Sequence, residues 1–143
     1  MNAKTTKRDI TLFTQSLRFL LHSNTPLNVL LVEDNPLVQK ANTICLKALG
    51  CEVMVARSGE EALCLFDNSF DLVLLDLSLG EGIDGYSVSR ILRARFPYSS
   101  TPIMACTAHG PEVIQDCLDS GMSGYLEKPF FMEQLHPALL KAI

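Results

Sequence analysis

The chain has 143 residues, 48% hydrophobic and 20% charged, which fits one globular core and leaves little room for a second. A domain of this size buries roughly 70% of its unfolded surface, so neither disulfides nor a structural metal have to be invoked. The net charge of −4 excludes nucleic-acid binding by bulk charge, and no run of eighteen apolar residues offers a membrane span or signal peptide, so a cytoplasmic protein is expected.

Residues 1–27 stand apart in charge. Lys4, Lys7, Arg8 and Arg18 against Asp9 give +3, leaving −7 for the remainder, and a boundary is expected near Pro26. Within this extension Ile10, Phe13, Leu17, Leu20 and Leu21 recur at three- and four-residue steps, on one face of a helix of about three turns. An extra helix docked on the domain, a linker and a dimerisation helix all stay open.

From Asn28 onward, short apolar runs alternate with helical patterns. The runs are Val29–Val32, Val53–Ala56, Leu72–Leu75, Ile103–Cys106 and Gly124–Leu126, too short for buried helices and read as parallel strands covered on both faces. Helices are expected over Leu37–Leu49, with Leu37, Ala41, Ile44 and Ala48 on one face, and over Gly59–Asp67, Tyr86–Phe96, Glu112–Ser120 and Phe131–Ile143. Pro36 suits a first helical turn, and Gly50 and Gly121 suit helix exits. Five such units with right-handed crossovers predict an α/β, doubly wound, five-stranded parallel sheet in the flavodoxin-like order 2-1-3-4-5, open at the carboxyl ends of its first and third strands.

The first strand runs into Glu33 and Asp34, the third into Asp76, the fourth into Thr107 and the fifth into Lys128. Strands about 4.8 Å apart bring the three acids into one pocket, where they repel unless one is protonated or a cation lies between them. Oxygen ligands without His or Cys suit Mg²⁺ rather than zinc. The five cysteines are odd in number and lack a Cys-x-x-Cys spacing, which marks them as reduced packing residues. Lys128 has the stem to bring a point charge across the pocket, and Thr107 offers a hydroxyl. This is equipment for accepting a phosphoryl group, with Asp76 attacking in line to give an aspartyl phosphate.

From about Asn28 to Ile143 the chain resembles the receiver domains of two-component response regulators. The strings that carry the likeness are Val29-Leu-Leu-Val-Glu-Asp-Asn-Pro36, Ala56-Arg-Ser-Gly-Glu-Glu-Ala-Leu63, Leu72-Val-Leu-Leu-Asp-Leu77, Ile83-Asp-Gly85, Pro102-Ile-Met-Ala-Cys-Thr-Ala108 and Gly121-Met-Ser-Gly-Tyr-Leu-Glu-Lys-Pro-Phe130. The first two look most like receivers of hybrid sensor kinases. The resemblance implies Asp76 as phosphoacceptor, with Glu33, Asp34, Asp76 and the Ser78 backbone carbonyl around Mg²⁺. Thr107 and Lys128 would hold the phosphoryl oxygens, and a cis bond would join Lys128 to Pro129. It further implies a switch in which Thr107 and Tyr125 repack the surface of the fourth helix, fifth strand and fifth helix. The donor would be a histidine kinase or histidine phosphotransfer domain. With the sequence ending at the fifth helix, output is expected through a downstream protein partner, with homodimerisation left open and no direct nucleic-acid contact. The protein is expected not to be an enzyme beyond its own phosphoryl transfer and autodephosphorylation.

Two departures stand out. The loop after Asp76 is one residue longer than is usual in the family and carries Gly80 and Gly82, which should loosen it beside the metal. Pro137 should bend the fifth helix. Structural alternatives exist for each site residue: Asp76 as a cap, Glu33 and Asp34 as a solvated pair at a helix start, Thr107 as a cap before Pro111, Lys128 as a surface lysine, Tyr125 as packing, and Arg90, Arg93 and Arg95 as a solvated face. Two other classes compete: a receiver-like docking module that is never phosphorylated, and a Mg²⁺-dependent phosphohydrolase, which would want a second acid at position 78.

Overall fold

The computed structural model describes residues 26–128. Strands β1 (Asn28–Val32), β2 (Glu52–Ala56), β3 (Leu72–Asp76), β4 (Ile103–Thr107) and β5 (Gly124–Glu127) form one all-parallel sheet in the order β2-β1-β3-β4-β5, as predicted. Side chains alternate across it. Leu30, Val32, Val73, Leu75, Ile103 and Ala105 point to one layer, and Val29, Leu31, Leu72, Leu74, Met104 and Cys106 to the other. Both layers are apolar, and β3 and β4 are buried from end to end, whereas β2, on the edge, exposes Glu52 and Met54. The expectation of two-sided cover therefore fails for β2.

Helices α1 (Pro36–Ala48), α2 (Gly59–Leu65), α3 (Gly85–Arg95) and α4 (Ile114–Asp119) connect the strands, with a single 3₁₀ turn at Pro111–Val113 before α4. Helix α1 supplies Leu46 to one layer, while α2, α3 and α4 supply Ala62, Val88, Leu92 and Cys117 to the other, which is the doubly wound arrangement. Start signals are local. Asn35 accepts from the Leu37 and Val38 amides ahead of Pro36, Ser58 from the Glu61 amide, and Asp84 from the Ser87 amide. Gly50 and Gly121 leave α1 and α4 at φ 87° and 86°, a left-handed conformation that favours glycine.

Leu37, Ala41, Ile44 and Ala48 share a face of α1 as expected, and that face turns outward, with Leu37 80% and Ile44 61% exposed, while Leu46 turns onto the sheet. One expectation needs correction. The arginines of α3 are not uniformly solvated. Arg93 is half-buried, donating from Nε to the Gly121 carbonyl at 2.9 Å and from an η nitrogen to the Thr101 carbonyl at 2.9 Å; burial holds its guanidinium below the ordinary arginine value. The helices expected at Ile10–Leu21 and Phe131–Ile143, the bend at Pro137 and the Lys128–Pro129 bond lie outside the described residues. Among the described residues no helix is long and apolar enough to cross a membrane.

Gly85 opens α3 directly against β3. A Cβ there would press on the Asp76 carbonyl oxygen and stand 2.9 Å from the Leu77 Cα, both backbone atoms with little freedom to move. Gly85→Ala is therefore expected to lower unfolding free energy by about 1–3 kcal/mol, read from the urea midpoint at unchanged m value. An unchanged midpoint would show that α3 can pull back freely.

Candidate functional site

Register assembles the site. Val32 pairs with Leu75, so Glu33, one step past β1, comes level with Asp76, the last residue of β3. Asp76 pairs with Cys106, Thr107 closes β4, and Thr107 pairs with Glu127 on β5. Lys128 follows at once, its amide donating to the Thr107 carbonyl at 2.6 Å. Four strand ends thus deliver Glu33, Asp34, Asp76, Thr107 and Lys128 to one rim of the sheet, as the sequence predicted.

Carboxylate oxygens of Glu33, Asp34 and Asp76 lie within 4.8 Å of one another. Glu33 and Asp76 are 2% and 4% exposed, and Asp34 is open to solvent. The Lys128 ammonium bridges the two buried acids, 2.8 Å from Glu33 Oε2 and 3.1 Å from Asp76 Oδ2. One backbone amide binds each acid: Asn35 donates to Glu33 Oε1 at 3.1 Å, Ser78 to Asp76 Oδ1 at 2.9 Å and Gly80 to Asp34 Oδ2 at 2.8 Å. Thr107 is buried, and its Oγ1 accepts from the His109 amide at 2.9 Å. That bond leaves the hydroxyl proton available to another acceptor. Tyr125 sits opposite Ala105 on the face that Thr107 shares, half-buried against the core.

Burial, with the Asp76 charge acting in the same direction, holds the Glu33 carboxyl above the usual glutamate range against the opposing bonds from Lys128 and Asn35. Burial works the opposite way on Lys128, but the Glu33 hydrogen bond and the charges of Asp76 and Glu33 outweigh it and hold the ammonium above the ordinary lysine value. Lys128 is thus a firmly charged cation. The neighbouring Cys106 thiol is pushed up to about 12 by burial, so it is no nucleophile and packs as the sequence predicted.

The donor set fits a hard divalent cation. Its three side-chain ligands offer only carboxylate oxygens, and at full ionisation three acids and one ammonium leave two negative charges at the rim. The expectation of a loosened loop after Asp76 is corrected: Leu77 and Leu79 are buried, and the amides of Ser78, Gly80 and Ile83 each donate to a carboxylate. The sequence reading missed Glu60, the acceptor for Ile83. Its only signal is an acid in the first turn of a helix, which ordinarily means no more than a favourable helix dipole.

A parallel sheet of this order with an acid cluster and a lysine at its switch point is the arrangement that the resemblance to receiver domains implied. The sequence model described as the response regulator receiver domain matches residues 29–140, and the chain belongs to that family. It is similar to the Escherichia coli aerobic respiration control sensor protein ArcB, 38% identical over 117 residues, covering 80% of this chain and 15% of ArcB. It is similar also to the Pseudomonas syringae sensor protein GacS, 36% identical over 126 residues, covering 85% of this chain and 14% of GacS. The chain thus spans about one-seventh of the length of these curated relatives. Among solved structures, Vibrio cholerae chemotaxis protein CheY4 superposes with a TM-score of 0.75 at 29% identity, covering 83% of this chain and all of CheY4. The protein is therefore a receiver domain of two-component or phosphorelay signalling.

Removing the ammonium tests the electrostatics. In metal-free Lys128→Met, Glu33 and Asp76 face each other uncompensated, and a stability loss of about 1–3 kcal/mol is expected near pH 8. A carboxyl whose folded pKa is raised loses its contribution as pH rises through that value and regains it on acidification. The deficit against wild type should accordingly shrink toward about pH 5, as urea unfolding at both pH values measures. A pH-independent deficit would refute this account.

Proposed function

We propose that Asp76 is the phosphoacceptor, phosphorylated by a phosphohistidine on a histidine kinase or histidine phosphotransfer domain. One observation carries the reading: Lys128 Nζ lies 3.1 Å from an Asp76 oxygen that shares its pocket with Glu33 and Asp34. An Asp76 oxygen forms the new P–O bond in line as the donor P–N bond breaks, and the imidazole leaves with the electron pair. Lys128 and Thr107 then hold the phosphoryl oxygens, Lys128 as a point charge and Thr107 by donating its unspent hydroxyl proton. Glu33, Asp34, Asp76 and the Ser78 carbonyl would hold Mg²⁺, which when bound neutralises charge on the phosphoryl oxygens.

Movement of Thr107 toward the phosphoryl group opens space on the sheet face that Tyr125 shares, and the ring follows. Up to two new negative charges and three acceptor oxygens are enough to bias such a two-state element. The altered surface is that of α4, β5 and the segment after Lys128, which would engage the downstream protein. Residues 28–143 would make up the receiver, and residues 1–27 a helical extension or linker. The domain catalyses its own phosphoryl transfer and loss and turns over no external substrate.

Incubation with acetyl phosphate and Mg²⁺ should add one phosphoryl mass to the intact protein, and Asp76→Asn should abolish it while leaving the far-ultraviolet dichroism unchanged. Wild type that stays unmodified where a control receiver reacts would establish a docking module instead. Label persisting in Asp76→Asn would reassign the acceptor.

A further inference from the structure

The loop from Leu77 to Asp84 is held by three amides, each donating to a different carboxylate. Ser78 donates to Asp76, Gly80 to Asp34 and Ile83 to Glu60, the last at 2.8 Å. The first two acceptors belong to the acid cluster. Glu60 does not: it is exposed, on the first turn of α2, and joins the loop from the opposite side. We propose that Glu60 is a positioning residue of the metal site, acting on Asp34 through this loop; the inference rests on reading the three acids as that site.

The packing at this corner shows how narrowly the path is set. A Cβ on Gly59 would lie 2.6 Å from both the Ile83 Cγ1 and the Val88 Cγ2, so the start of α2 meets the loop with no room to spare. Gly82 has φ +93°, and a Cβ there would lie 2.5 Å from Glu60 Oε1. The chain therefore bends around the Glu60 carboxylate between Gly80 and Ile83. That amide also holds the Glu60 carboxyl below the usual glutamate range. On the near side, buried Leu77 and Leu79 fix the beginning of the loop. Gly80 lies between these two anchorages, and its amide reaches Asp34 only while both hold.

Asp34 is the acid that depends on this. Glu33 and Asp76 are buried and clamped by Lys128, whereas Asp34 is exposed and outside both salt bridges. The Gly80 amide at 2.8 Å is what aims its carboxylate, leaving Oδ1 for a ligand. Groups that orient a metal ligand from behind typically change affinity by about 10–100-fold when removed, and Glu60 stands one step further back. The longer loop, with its two glycines, can wrap onto α2 in this way, so the extra residue is held rather than slack.

The test uses the full chain with Glu60→Ala and Glu60→Gln. Because Glu60 is exposed, both variants should fold. Glu60→Ala should weaken Mg²⁺ binding about three- to tenfold by calorimetry. In metal-free protein it should also speed solvent exchange of the Gly80 amide, read by NMR. Glu60→Gln keeps an oxygen acceptor for the Ile83 amide and should restore both values toward wild type. Wild type without saturable Mg²⁺ uptake overturns the reading of the acids as a metal site, and this inference with it. With uptake intact, an unchanged Gly80 exchange rate or an equal Mg²⁺ affinity in Glu60→Ala overturns the role of Glu60 alone.

Discussion

The bridge from Lys128 to Glu33 and Asp76 is the constraint on which the rest of this molecule depends. It joins the ends of β1, β3 and β5 across 95 residues of sequence and makes two buried acids tolerable side by side. Removing a carboxylate from water costs several kcal/mol unless charge and hydrogen bonds replace the lost solvent. Here one ammonium serves both acids, and a backbone amide binds the other oxygen of each. The compensation works only if the strands end level, which ties the chemistry of the rim to the register of the whole sheet.

That register is held by two apolar layers. Alternate residues of the inner strands enter opposite layers, so a slip of one residue in β3 would exchange Leu75 for Asp76 in the core. A misregistered β3 would thus carry Asp76 away from Lys128 and bury an unpaired acid among apolar side chains. Stability and site geometry are secured by one set of contacts. The polar groups are confined to the last residue of a strand or the first residues beyond it, where backbone amides are free to serve them.

Within the rim, the acids differ in what holds them. Glu33 and Asp76 are fixed by burial and by Lys128, while Asp34 relies on a loop amide. The loop that aims Asp34 is itself anchored on α2, so the rim and the neighbouring helix layer are mechanically continuous. Arg93 plays a comparable structural part elsewhere, tying α3 to the residues before β4 and after α4 through two backbone carbonyls.

Much of this was legible in one dimension. Short apolar runs ending in Glu33-Asp34, Asp76, Thr107 and Lys128 dictate parallel strands with polar tips, because a fully buried strand tolerates charge only where it leaves the core. The helix start at Pro36 and the exits at Gly50 and Gly121 follow from the same local chemistry. The outward turn of Leu37 and Ile44 was not legible, since a helical stripe shows which residues share a face but not which neighbour that face meets. Nor were the anchoring of the loop by Glu60 and the burial of Arg93, because both depend on backbone groups distant in sequence. Composition and pattern determined the strands and the identity of the polar tips. Tertiary structure decided which of those tips touch, because hydrogen bonds and salt bridges demand ångström distances that only the packed layers enforce.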